Sequence, residues 1–73
     1  MVNVPYEVGN VKCKLREILD ERGLKQKWLY EKVDLSSSAM SQIVRGESDP
    51  TLQTALRIAK ALGLKVEDIW IDE

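Results

Sequence analysis

Seventy-three residues with a net charge of −1 and 44% hydrophobic content leave room for one small domain, since a chain this short buries only roughly 60% of the surface its unfolded form exposes. A single cysteine, Cys13, and no histidine exclude a disulfide framework and a zinc site, and no apolar run approaches the roughly 20 residues of a membrane span. The opening MVNVPYEVGN has neither the basic start nor the long apolar core of a signal peptide, so a cytoplasmic protein is expected.

Within the near-neutral total the charge is divided. Between Arg22 and Arg45, five cations (Arg22, Lys25, Lys27, Lys32 and Arg45) face only Glu31 and Asp34, a local surplus of three positive charges. From Gly46 onward, Arg57, Lys60 and Lys65 face Glu47, Asp49, Glu67, Asp68, Asp72 and Glu73, an equal surplus of negative ones. A partner that carries negative charge would meet the first of these regions, but few phosphates could be neutralised there.

Residues 1–10 read as an N-terminal arm or edge strand. Val2, Val4, Tyr6 and Val8 alternate with other residues, a period of two, and Pro5 keeps the run out of a central ladder. The domain is expected over residues 11–71. Asn10 is placed to cap a first helix over residues 11–22, with Val11, Leu15, Ile18, Leu19 and the stem of Arg22 on one face. Gly23 is its left-handed stop, and Leu24 packs back on the helix end. Cys13 lies on the surface or at the boundary of that helix, with no histidine near it to make a reactive thiolate.

The central stretch, QKWLYEKVDLSSSAMSQIVRG, predicts two short helices and a tight turn. Leu29, Val33, Leu35, Met40, Ile43 and Val44 fall inward. Ser37, Ser38, Ser41, Gln42 and Arg45 fall on the opposite side of the second of these helices. Asp34 occupies the turn, where an Asx residue bears the left-handed conformation. Ser36 is an N-cap, and Leu35 and Met40 stand at staple spacing. Gly46 ends that helix. Pro50 stands at or just before the start of the next one, where a missing amide hydrogen costs nothing. Leu52, Ala55, Leu56, Ala59 and Leu62 form a stripe that Gly63 ends. A short fifth helix, residues 66–69, leads to Trp70 and Ile71. The sum is an all-α fold, a compact bundle of five short helices.

With these elements placed, the stretch from Leu15 to Trp70 resembles the phage repressor and Cro-like (XRE) helix-turn-helix family. The residues that carry the resemblance are LREILDERGLKQ, VDLSSSAMSQIVRG, DPTLQTALRIAKALGL and VEDIW. It implies a lambda-repressor-like DNA-binding domain with its helix-turn-helix at helices 2 and 3, the third helix lying in the major groove and the second crossing the backbone. Position by position, it makes Ser37, Ser38, Gln42 and Ala39 base contacts: Gln pairs bidentately with adenine, Ser discriminates weakly, and Ala meets a thymine methyl. Gln26, Ser36, Lys25 and Arg45 become phosphate contacts. Ser36 is a cap whether or not DNA is bound, and Arg45 also suits the C-terminal dipole of its helix.

Several positions depart from the family. Leu19 and Val44 stand where many members carry an Arg–Glu ion pair, a replacement by apolar packing that leaves no unpaired charge. Asp34 replaces the usual turn glycine, Tyr30 a usual alanine and Trp28 a usually polar residue. Trp28 and Tyr30 are accordingly candidates for a partner surface.

The expected function is a sequence-specific DNA-binding transcriptional regulator of repressor-like, phage or prophage type, binding a palindromic operator as a homodimer. Leu64, Ile69, Trp70 and Ile71, with the N-terminal arm, are candidates for the dimer surface, and core packing is the competing role for Trp70. The alternative is a protein-interaction module of the same fold without DNA binding, or an antitoxin-type partner. No activated nucleophile, glycine-rich phosphate loop or metal constellation is present in the sequence, so neither catalysis nor a cofactor is expected.

Overall fold

A computed structural model describes residues 11–72; the arm or edge strand expected over residues 1–10, and the Asn10 cap with it, lie outside the described residues. The order is β1 (Val11–Cys13), α1 (Leu15–Arg22), α2 (Gln26–Lys32), α3 (Ser37–Val44), α4 (Leu52–Leu62), α5 (Val66–Ile69) and β2 (Trp70–Asp72). Five helices therefore form as expected, but the fold is not wholly α. β1 and β2 pair antiparallel, with Val11 opposite Asp72, Lys12 opposite Ile71 and Cys13 opposite Trp70.

That small sheet corrects the start of the first helix. Residues 11–13 are strand, and α1 begins at Leu15 behind Lys14, which supplies no side-chain cap. The amide of Lys14 donates to the carbonyl of Ile69 at 2.8 Å, so the ladder runs up to the helix itself. Local pattern alone favoured helix; a distant strand offered the same backbone groups other partners. Val11, expected inside, is 42% exposed. Cys13 sits in β1, half-buried, and burial pushes its thiol pKa up. The Leu15 amide and Trp70 oppose that rise while Glu17 adds to it. That direction is opposite to the one that activates a thiolate.

The core is one cluster drawn from every helix: Leu15 and Leu19 of α1, Leu29 of α2, Met40, Ile43 and Val44 of α3, Ile58, Ala59 and Leu62 of α4, and Ile69 of α5. Each fully buried Leu or Ile removes enough apolar area from water to contribute roughly 1.5–3 kcal/mol. Leu19 and Val44 are both in it, 3% and 5% exposed, so the positions read as a replaced ion pair do pack as aliphatics. Ile69, a candidate for the dimer surface, is completely buried and belongs to this core.

On α4 the inward face is rotated from the expected stripe. Ala55, Ile58, Ala59 and Leu62 are buried, while Leu52 and Leu56 point outward at 72% and 53% exposure. Both stripes have helical spacing, because the apolar arc of α4 is wide enough to include Leu52 and Leu56 at one edge and Ile58 at the other. Its N-cap is Thr51, whose Oγ1 accepts from the Thr54 amide at 3.2 Å; Pro50 stands just before it. Arg22, whose stem was expected on a buried face, is exposed as a residue, and its Nη1 donates to the Leu62 carbonyl at 2.6 Å in a part-buried bond. It ties the end of α1 to the end of α4 and satisfies an orphan carbonyl there.

Four helices close with one device, a left-handed residue followed by an amide that reaches back to the last turn. After α1, Leu24 donates to the Leu19 carbonyl at 2.9 Å; after α2, Leu35 donates to that of Tyr30 at 2.9 Å. The left-handed position is glycine at Gly23, Gly46 and Gly63, but Asp34, with φ 62°, in the helix-turn-helix. A Cβ in that conformation costs about 1–2 kcal/mol, partly offset because glycine frees the unfolded chain by about 0.4–1 kcal/mol. Asp34→Gly is therefore expected to raise stability by up to about 1 kcal/mol, within the range those two effects define. A urea titration checks this, and a fall in midpoint would mean that the Asp34 side chain contributes something besides its backbone shape.

Candidate nucleic-acid interface

The turn between α2 and α3 aims the second helix. Asp34 reverses the chain, Leu35 tucks half-buried against the core, and Ser36 opens α3 with its Oγ accepting from the Ala39 amide at 3.0 Å. Leu35 and Met40 stand on either side of this cap, Met40 with no exposed surface, as staple spacing requires. Since Met40, Ile43 and Val44 are buried, the rotation of α3 about its axis is determined by packing. Ser36, Ser37, Ser38 and Gln42 are exposed, and Ala39 and Ser41 are half-buried beside them. The first turn of α3 thus presents three consecutive hydroxyls, with Gln42 one turn further along.

α2 packs against both α3 and α4. Lys25 is its N-cap, in an extended conformation and without a side-chain cap bond, and it is exposed. Gln26 follows at the first helical position, half-buried in a hollow that it shares with Arg16, Leu19, Asp20, Leu24 and Lys25. Two cations, Arg16 and Lys25, and one carboxylate, Asp20, therefore border Gln26 at a helix N-terminus. Arg16, exposed on α1, was not singled out from sequence. No motif marks it, and only the fold brings it beside Gln26.

Arg45 does not stand free. Its Nη1 donates to Ser41 Oγ at 2.8 Å, its Nε to Glu47 Oε2 at 3.1 Å and its Nη2 to Glu47 Oε1 at 3.0 Å. The ion pair with Glu47 was not foreseen. The pair is exposed, 47% for Arg45 and 59% for Glu47, so its worth to folding is small.

The aromatic candidates are placed differently from one another. Trp28 and Tyr30 are both half-buried against the core, which accounts for two large rings only two residues apart on one helix. Trp28 lies over the end of α1, lining a shallow hollow with Gly23, Leu24, Lys27 and Glu31, and the Lys32 ammonium sits 5.6 Å from the centre of its ring, within cation–π range. Trp70 packs half-buried against the core from β2, the competing role given above; its neighbour Ile71 is also half-buried. Leu64 and Val66 are half-buried, lining a hollow with Leu56, Ala59, Lys60, Lys65 and Glu67. Among the described residues no group of three or more Cys, Asp or Glu side chains could hold a metal ion, and no helix is long and apolar enough to cross a membrane.

The chain is similar in sequence to several known proteins. A protein of Methanocaldococcus jannaschii named as an uncharacterized HTH-type transcriptional regulator is 38% identical over 63 residues, 86% of this chain and 96% of the relative. The HTH-type transcriptional regulator YgzD of Bacillus subtilis is 34% identical over 64 residues, 86% of this chain and 97% of the relative. A third, from Methanothermobacter thermautotrophicus, is 40% identical over 58 residues, 78% of this chain and 84% of the relative. The family model of the Cro/C1-type HTH DNA-binding domain matches residues 14–73, a span that starts at the end of β1 and includes every helix. The chain belongs to the Cro/C1-type helix-turn-helix DNA-binding family.

Proposed function

We propose that the protein is a sequence-specific transcriptional regulator of repressor type that reads an operator with α3. The observation that carries this is the orientation of α3. One side is locked into the core through Met40, Ile43 and Val44, so Ser37, Ser38 and Gln42 are held outward on a rigid element rather than on a loop. In this reading Gln42 and the two serines meet base edges, and Ala39 meets a thymine methyl. Ser36, Gln26, Lys25 and Arg45 meet the backbone, with Arg16 an addition suggested by the hollow it shares with Gln26. The relatives' names as transcriptional regulators support the regulatory part of this reading.

One such domain makes a small interface, roughly 600–1,000 Å², and two-fold pairing on a palindrome doubles it. A homodimer is therefore part of the proposal. Supporting it is an apolar strip on the outward side of α4, Leu52 and Leu56 one turn apart, continuous with the hollow lined by Leu64 and Val66. Lys60, Lys65 and Glu67 rim that hollow. A two-fold axis there sets the cations of each copy against the acid of the other, a self-complementary surface.

Selection of bound duplexes from a random pool at near-physiological salt tests the reading. The expected product is a palindrome with half-sites centred about 10 base pairs apart. Gln42→Ala should then lose preference at one base per half-site, by about 5- to 150-fold, the equivalent of about 1–3 kcal/mol. A folded protein that enriches no sequence overturns the proposal.

A further inference from the structure

We propose that Glu47 is an internal competitor of DNA, a stand-in for phosphate that holds Arg45 until a backbone phosphate displaces it. This rests on the reading above in which Arg45 meets the DNA backbone. All three nitrogens of the guanidinium are occupied: Nε and Nη2 by the two carboxylate oxygens of Glu47, at 3.1 and 3.0 Å, and Nη1 by Ser41 Oγ, at 2.8 Å. Two parallel N–H···O bonds from one fork are the geometry in which Arg takes a phosphate, so the carboxylate fills the place that a phosphate would take. It is the only ion pair among the described residues.

The arrangement is built into the helix end. Gly46, left-handed at φ 77°, turns the chain back, and its amide donates to the Ile43 carbonyl at 3.0 Å. The Glu47 amide then donates to the Gln42 carbonyl at 2.9 Å. The backbone on either side of the carboxylate is thereby tied to α3 itself, and Ser41, one turn before Arg45, braces the guanidinium from the helix side. Because the pair is open to water, it holds Arg45 only weakly, as an exchangeable contact must.

Two consequences follow for binding. A phosphate that takes Arg45 leaves Glu47 with an unpaired carboxylate near the DNA, and that carboxylate gathers a cation back from solution. The net ion release is then about one less than the number of basic contacts implies. This penalty is independent of base sequence, so it limits retention on unrelated DNA as well as on the operator.

The test compares wild type, Glu47→Gln, Arg45→Ala and the double variant, each with its circular dichroism and thermal unfolding recorded. Affinity for an unrelated 20-base-pair duplex, and for a selected operator, is measured over a range of salt. Glu47→Gln keeps the length and the backbone bond of the residue. It is expected to tighten binding to both duplexes by roughly two- to fivefold and to steepen the salt dependence by about one. In the Arg45→Ala background the same change is expected to have little effect. An undiminished gain there would show plain repulsion of the DNA by Glu47 and overturn the proposal. So would an unchanged Glu47→Gln affinity alongside a weakened Arg45→Ala. An Arg45→Ala variant that binds as wild type would instead remove Arg45 from the interface and overturn the reading on which the proposal stands.

Discussion

Ile58→Ala is expected to lower the free energy of unfolding by about 2–5 kcal/mol, the usual range for truncating a buried Ile. Ile58 has no exposed surface and stands among the largest buried side chains of the core. At roughly 0.05–0.15 kcal/mol per residue, a chain of this length has little stability to spare, and the variant should be partly unfolded near body temperature. The urea midpoint should fall with an unchanged slope. Leu52→Ala, on the same helix but 72% exposed, is a surface change and should stay within about 0.5 kcal/mol of wild type in a dilute sample. If the order of the two variants were reversed, α4 would have to be rolled about its axis from the orientation described.

Leu56→Lys is expected to separate binding from pairing. At 53% exposure the side chain has little role within one copy, so the variant should fold. A lysine there adds its charge beside Lys60 and Lys65, which rim the same hollow, and two copies would then set like charges against each other across the axis. Sedimentation should show a monomer, and affinity for a two-half-site operator should fall on the order of 100-fold, toward that of a single half-site. Base preference within each half-site should be retained, since α3 is untouched. A variant that still pairs would move the dimer surface to Trp70 and Ile71, the other candidates named from the sequence.

The helix-turn-helix was the most legible part of the chain because its signals are local and agree. Asp34 tolerates the left-handed turn, Ser36 caps, and Leu35 and Met40 staple. Apolar residues at one helical spacing then determine which side of α3 faces outward. What could not be read depends on partners distant in sequence. Residues 11–13 are strand only because residues 70–72 arrive beside them. Ile58 is inside and Leu56 outside because of what surrounds α4; its apolar arc is wider than the buried face, and periodicity admits either edge of it. Arg16 stands beside Gln26 for the same reason. The contact of Arg45 with Glu47 is local, yet no pattern announces it, since only the backbone reversal at Gly46 brings the carboxylate back. Every backbone device of the interface was thus open to prediction, whereas its electrostatics waited on three-dimensional neighbours.

The pairing of β1 with β2 has a mechanical meaning. Val11 and Asp72 are opposite each other at the described end of the ladder farther from the helices, so tension applied through these two residues peels the described rungs apart one by one, as a zipper opens. It does not shear all the rungs together. The helices behind feel no load until the Lys14–Ile69 bond gives way. Any cargo or neighbouring segment tethered at both positions would therefore first loosen the sheet, with the Cys13–Trp70 rung the last of the three to part, while α3 kept its hold on the core.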